Sequence, residues 1–160
     1  LWWKVVDSAI AIKEPELARM YIGQFAHTLD SKNRVFLPAR FRSKNKKFII
    51  TRGLESCLFL YDFLSWGKVL KKLEDLALPD KVQERAFKRA LLSGAHEAEP
   101  DFQGRILIPQ GLREYAKIGD EIIIIGVGNR LEIWGRAAWD KYYKQQADVS
   151  FRDLAGQLEI

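Results

Sequence analysis

The apolar positions keep two different periods, and each period appears twice. Val35-Phe36-Leu37 and Ile106-Leu107-Ile108 are short β-prone runs, stopped by Pro38 and Pro109, since proline cannot donate to a sheet ladder. After each proline the spacing predicts a turn or two of helix, in A-R-F-R and in Q-G-L-R-E-Y, because the fixed φ of proline suits a helix start. Longer β-prone runs follow. K-F-I-I-T-R-G with C-L-F-L-Y, and the stretch E-I-I-I-I-G-V-G-N-R-L-E-I-W-G, read as two β-hairpins. Gly126 and Gly128 form a G-x-G, but a strand follows where a dinucleotide fold needs a helix, so they mark a hairpin turn. Helical spacing takes over at 62–77, where Phe63, Trp66, Val69, Leu70, Leu73 and Leu76 recur. It returns after Pro79 with Val82, Ala86, Phe87, Ala90 and Leu91 on one face. A short helix is expected after Asp148. The apolar faces of the two central helices are read mainly as intramolecular core, with a subunit interface as the alternative.

The pattern doubles because the sequence does. Asp30, Arg34, Pro38 and Arg42 match Asp101, Arg105, Pro109 and Arg113, each at an offset of 71. Beyond them the offset becomes 73: Ile49 to Gly53 faces Ile122 to Gly126, Leu58 to Tyr61 faces Leu131 to Trp134, and Trp66 faces Trp139. Internal repetition of this kind signals one unit used twice. A unit of this size buries little apolar surface alone, so the two are expected to interleave their strands in a pseudo-dimer with helices outside. The expected divisions are a leader at 1–19, a first repeat at 20–66, a helical connector at 67–95, a second repeat at 96–140 and a helical tail at 141–160. Met20 is the only methionine and is read as the native start.

Charge adds a candidate surface. The chain has 160 residues, a net charge of +5 and one cysteine. The lone Cys57 excludes an internal disulfide and a cysteine-rich metal site, and its apolar strand predicts a buried, inert thiol. No apolar run approaches the length that spans a membrane. Between Ser31 and Lys47 stand Lys32, Arg34, Arg40, Arg42, Lys44, Lys46 and Lys47, with no acid. Such a patch attracts phosphate, with an affinity that falls as salt rises; a solvated basic loop is the plainer alternative. In D-S-K-N-R and D-F-Q-G-R the aspartate can accept from backbone N–H groups just ahead of it, and Asn33 and Gly104 tolerate positive φ. Arg34 and Arg105 then either staple the turn to Asp30 and Asp101 or reach a guanine or phosphate with the planar fork. Both can hold together. His27 and His96 precede the two aspartates, but no further ligand spacing supports a metal or acid–base site. No metal, cofactor or catalytic group is assigned.

The stretch M-Y-I-G-Q-F-A-H-T-L-D-S-K-N-R-V-F-L-P-A-R-F-R, from Met20 to Arg42, resembles the opening of the MraZ family, and the second D-x-x-x-R stands at that family's spacing. The resemblance runs from Met20 to about Tyr143. It implies an α+β fold, a tandem swapped-hairpin arrangement of the AbrB/SpoVT kind, in which two pseudo-symmetric repeats form a β-barrel core with flanking helices. It implies a regulator of transcription with no enzymatic activity. Such a protein binds double-stranded DNA at repeated boxes upstream of its own division and cell-wall operon. It implies a cytoplasmic, nucleoid-associated homo-oligomer, a ring with eight subunits favoured. By the same analogy Arg34 and Arg105 face DNA, helped by Lys32, with Asp30 and Asp101 posing them and Arg40 and Arg42 beside them. Gln103 stands where the first motif has Lys32, which makes the two faces unequal. The competing reading is an oligomeric protein-interaction module with an incidental basic patch.

Overall fold

A computed structural model describes residues 20–42 and 46–160. The leader expected at 1–19 lies outside the described residues, and so does Lys44. In chain order the elements are β1 (Tyr21–Thr28), β2 (Arg34–Phe36), α1 (Ala39–Arg42), β3 (Phe48–Arg52), β4 (Leu58–Asp62), α2 (Phe63–Glu74) and α3 (Lys81–Ser93). The second half continues with β5 (His96–Ala98), β6 (Arg105–Leu107), α4 (Gln110–Tyr115), β7 (Glu121–Gly128), β8 (Leu131–Gly135) and α5 (Arg136–Tyr142). A π-helical turn, Tyr143–Ala147, then leads into α6 (Asp148–Ala155).

Six strands form one antiparallel sheet in the order β1-β7-β8-β4-β3-β5, while β2 and β6 pair as a separate ladder. Exchanging the repeats leaves that order unchanged, so a pseudo-two-fold axis runs between β8 and β4. It crosses the sheet at Phe59↔Glu132, with Leu58↔Ile133 and Leu60↔Leu131 on either side. It crosses the ladder at Val35↔Ile106, flanked by Arg34↔Leu107 and Phe36↔Arg105. Each repeat lends a strand to the other: β1 lies on β7, and β5 on β3. The loan is unequal, because β1 is 8 residues long and β5 only 3.

The closed β-barrel expected from the resemblance is not formed. The sheet has two free ends, β1 and β5. Closure would require β2 and β6 to bridge those edges, with the strand tilt and stagger a barrel imposes. Each is three residues long, and they spend their ladder bonds on one another. The sheet remains open, with the small ladder laid across its inner face.

Alternation places the core. Phe48, Ile50, Leu58, Leu60, Ile122, Ile124, Leu131 and Ile133 point inward from the sheet, where they meet Val35, Leu37, Ile106 and Ile108 of the ladder region and Phe41 and Leu112 of the short helices. Ile123 and Ile125 point the other way and pack with Cys57, Trp134 and Trp139. The run Ile122 to Ile125 is therefore apolar throughout because both faces of β7 are covered. Cys57 is buried as expected, and burial pushes its thiol pKa up, leaving it inert.

The central helices correct one expectation. α2 starts where Asp62 Oδ1 accepts from Ser65 N at 2.7 Å, a capping bond that satisfies an orphan N–H. Asp62 is itself buried and accepts from Tyr21 Oη at 2.7 Å, which ties β1 to the helix start. α3 is capped in the same way by Asp80. Yet α2 buries only Leu73, and α3 buries no residue. On the predicted faces Trp66, Val69, Leu70, Leu76 and Leu91 are half-buried, but Phe63, Val82, Ala86, Phe87 and Ala90 are exposed, so the face of α3 is not mainly core. A cleft of about 420 Å³ opens between α2, α3 and the outer face of β3 and β4, lined by Phe59, Tyr61, Trp66, Phe87 and Tyr115 among others.

Candidate nucleic-acid interface

Two tight turns carry the charged residues, and the local sequence dictates both. Asp30 Oδ1 accepts from the backbone N–H of Lys32 and of Arg34, each at 2.9 Å. Asp101 Oδ1 accepts from Gln103 N and Arg105 N, each at 3.0 Å. The fourth turn residue takes positive φ in both, 60° at Asn33 and 81° at Gly104, a conformation that asparagine and glycine tolerate best. Gly104 has a second reason to lack a side chain. A Cβ there would meet Arg42 Cζ at 2.4 Å.

The second carboxylate oxygen of each aspartate binds arginine. Arg34 Nε donates to Asp30 Oδ2 at 2.8 Å, and Arg105 Nε donates to Asp101 Oδ2 at 3.1 Å. Each arginine also crosses the axis: Arg34 Nη1 reaches Asp101 Oδ2 and Arg105 Nη1 reaches Asp30 Oδ2, both at 3.4 Å. Two acids and two arginines thus form a closed, charge-neutral square about the pseudo-two-fold axis. The side chains are 26–31% exposed. Nη2 of each arginine donates to no described residue. The backbone N–H of Arg34 or Arg105 is the leading cause that holds the pKa of Asp30 and Asp101 below the ordinary carboxylate value; burial pushes the other way, and the arginine side chain and the N–H of Lys32 or Gln103 add smaller downward pulls.

The structure joins four of the seven expected site residues in this square and sets the other three around it. Lys32 is exposed at the tip of the first turn. Arg42 donates from Nε to Leu37 O at 2.6 Å and lies over the Phe36 ring at 5.0 Å. That places it against the turn of the other repeat, at Gly104. Arg40 is exposed on α1 and stands 5.2 Å from the Phe41 ring centroid. Three members of the surface were not assigned from sequence. Arg113 repeats Arg42, donating to Ile108 O at 3.0 Å; the 71-residue offset was its signal. Phe36 and Leu107 are exposed on the outer face of the ladder, opposite Arg105 and Arg34. Their runs read only as β-prone, and the pairing shows which side faces out.

The two histidines do not converge on the square. His27 sits on β1 opposite Ile122, and burial lowers its pKa. His96 is on β5 opposite Ile50, exposed, with Nδ1 3.2 Å from Gly94 O. Among the described residues no group of three or more His, Cys, Asp or Glu is placed to hold a metal ion. No described helix is long and apolar enough to cross a membrane.

Comparison with known proteins matches the sequence to a family. The model described as "MraZ protein, putative antitoxin-like" matches twice, at residues 20–90 and 91–158. The transcriptional regulator MraZ of Caldanaerobacter subterraneus subsp. tengcongensis is 49% identical over 141 residues, covering 88% of this chain and 97% of the relative. Those of Thermoanaerobacter sp. strain X514 and Desulforamulus reducens are 48% and 47% identical, covering 88% and 87% of this chain and 97% of each relative.

Proposed function

The chain belongs to the MraZ family, and from that premise we propose that it is a transcriptional regulator that binds double-stranded DNA through the outer face of the β2/β6 ladder. The observation that carries this reading is the square of Asp30, Arg34, Asp101 and Arg105. It fixes two guanidinium groups as a pair and leaves Nη2 of each without a described partner. A preposed fork loses little entropy on binding, and it matches a guanine edge or a phosphate. Lys32, Arg40, Arg42 and Arg113 surround the pair and supply phosphate contacts. A two-stranded ribbon fits the major groove. The repeats at 20–66 and 96–140 supply the surface, the connector at 67–95 joins them, and 141–160 forms a tail. The protein does no covalent chemistry and acts in the cytoplasm at the nucleoid.

The regulator works as a homo-oligomer, a closed ring in which eight subunits are favoured. α3 buries none of its residues, and the cleft of about 420 Å³ beside it is lined mostly by apolar and aromatic groups. α6 exposes Val149, Phe151 and Leu154. It carries Asp148 and Asp153, while Lys81, Arg85 and Arg89 are exposed on α3. A neighbour's α6 in that cleft is a head-to-tail contact, which closes into a ring when the rotation permits. Many copies of a weak DNA contact then act together through effective concentration.

Titration of DNA from upstream of the protein's own gene, against a scrambled duplex and across a salt series, tests the reading. Native DNA should be preferred, with affinity falling steeply as salt rises. Equal binding to both duplexes would leave only a basic surface. For the assembly, Phe87→Asp should reduce the native mass toward one subunit; an unchanged mass would remove α3 from the interface.

A further inference from the structure

Phe102 is 99% exposed, the most exposed of the large hydrophobic residues among those described. Its matching residue in the first turn is Ser31, at the same offset of 71 that relates the aspartates. The backbone holding it is fixed from both sides: Gly104 N donates to Asp101 O at 2.8 Å, and Gln103 N to Asp101 Oδ1 at 3.0 Å. The ring is therefore displayed from a hydrogen-bonded turn. Phe102 also borders a shallow cavity of about 270 Å³ lined by Arg42 and Lys46 together with Glu99 and Asp101, the latter already paired with Arg105 and Arg34. Both cations come from the first repeat. A phosphate drawn to them brings the edge of a DNA groove against the ring.

The exposed edges of base pairs offer an aromatic ring one apolar group in the major groove, the C5 methyl of thymine. Resting on the DNA-binding reading above, we propose that Phe102 is a specificity-determining residue that reads a thymine methyl. Gln103 beside it is the residue type that bonds adenine N6 and N7 together, so the second turn selects an A·T pair. The first turn has Ser31 and Lys32 at these places and holds no methyl-reading group. One subunit therefore reads an asymmetric box, although its arginines are arranged symmetrically.

Replacing thymines of the upstream duplex by deoxyuridine, one at a time, removes the methyl and nothing else. At one thymine of each box the loss of affinity should be about fourfold, the value of one buried methyl-sized group. Phe102→Ser, which installs the residue of the first turn, should bind every uracil duplex as well as its thymine parent. Indifference of the native protein to uracil at every position would overturn the proposal, as would equal sensitivity in Phe102→Ser. A change of native mass in Phe102→Ser without any uracil effect would also overturn it, by making the ring a protein contact. If native DNA beats the scrambled duplex while uracil has no effect, only this inference fails. If no duplex is preferred, the regulator reading fails and this one with it.

Discussion

The pseudo-two-fold axis meets the protein at two places, and they treat symmetry in opposite ways. At the ladder, each hydrogen bond of the first turn has a counterpart in the second. Asp30 and Asp101 accept from the same backbone positions and from both arginines. At the outer face of the sheet the matching positions carry different chemistry. Cys57, Phe59 and Tyr61 in the first repeat face Arg130, Glu132 and Trp134 in the second. Glu132 accepts from Arg130 Nη2 at 2.8 Å and from Trp134 Nε1 at 3.1 Å. Arg130 also lies 4.1 Å from the centroid of the Phe59 ring, so the second repeat stacks its cation on the first. The difference teaches where duplication is constrained. A surface that presents paired forks needs both copies alike. A surface that only needs covering can drift apart, and here one side sealed while the other stayed open.

The largest expected effect breaks the outer face. Trp139 is buried against Trp134 at 5.2 Å between ring centroids. Trp66, its counterpart, packs on Tyr61 at 5.7 Å but lines the open cleft. Trp139→Ala should cost about 3–5 kcal/mol of folding stability, the usual range for a buried aromatic. Trp66→Ala should cost less, about 1–2 kcal/mol, since the residue is only partly buried. Denaturant melts of both variants check this, and equal losses would contradict the sealed and open assignment. Glu132→Ala comes next. Removing one partner of a buried pair costs about 3–5 kcal/mol. Arg130 is 26% exposed, so the expected cost is lower, about 2–3 kcal/mol. DNA affinity per folded molecule should stay unchanged, because this network lies on the sheet and not on the ladder.

What the sequence revealed follows the same division. The turns were legible because their chemistry is local: an aspartate, a positive-φ residue and an arginine within five positions. The hairpins β3/β4 and β7/β8 were legible from β-prone runs and a turn. The openness of the sheet was not, because no local period records which strand lies on which edge. The apolar face of α3 was misread for a related reason. Helical spacing at Val82, Ala86, Phe87, Ala90 and Leu91 says that one face is apolar, but not what covers it. Arg130 and Glu132 were passed over as residues of an apolar hairpin. Their burial depends on Phe59, which lies 71 positions from Arg130 and meets it only across the axis.

A smaller effect sharpens the comparison at the ladder. If the square is symmetric in function as in geometry, Arg34→Ala and Arg105→Ala should weaken binding to native DNA by similar factors. About tenfold each corresponds to the low end of a lost bidentate base contact, roughly 1.4 kcal/mol. Melts should barely move, since partly exposed ion pairs contribute about 0–1 kcal/mol. Unfolding of Arg34→Ala would instead make the arginine a structural staple. A tenfold gap between the two variants would mean that one turn dominates DNA contact.

The smallest effect tests the symmetry without DNA. Asp30 and Asp101 have their pKa lowered by the same leading cause, the backbone N–H of the arginine four residues ahead. A carboxylate whose pKa is lower folded than unfolded stabilises the fold above its unfolded value, ordinarily 3.8. That stabilisation is lost as pH falls through the lower folded value. Asp30→Asn and Asp101→Asn keep an acceptor for the turn N–H groups and remove the charge. Each should be less stable than the native protein near neutrality, and the difference should fade once pH drops below the folded value. Glu84, lowered by the Leu78 N–H, titrates in the same direction in all three proteins and cancels. His27, lowered by burial, acts in a window that begins near its ordinary 6.5 and cancels likewise. The two difference curves should therefore superimpose. Curves that separate by more than the scatter of repeated melts would mean that the square is held from one side, and that the equality of its bonds does not extend to their energies.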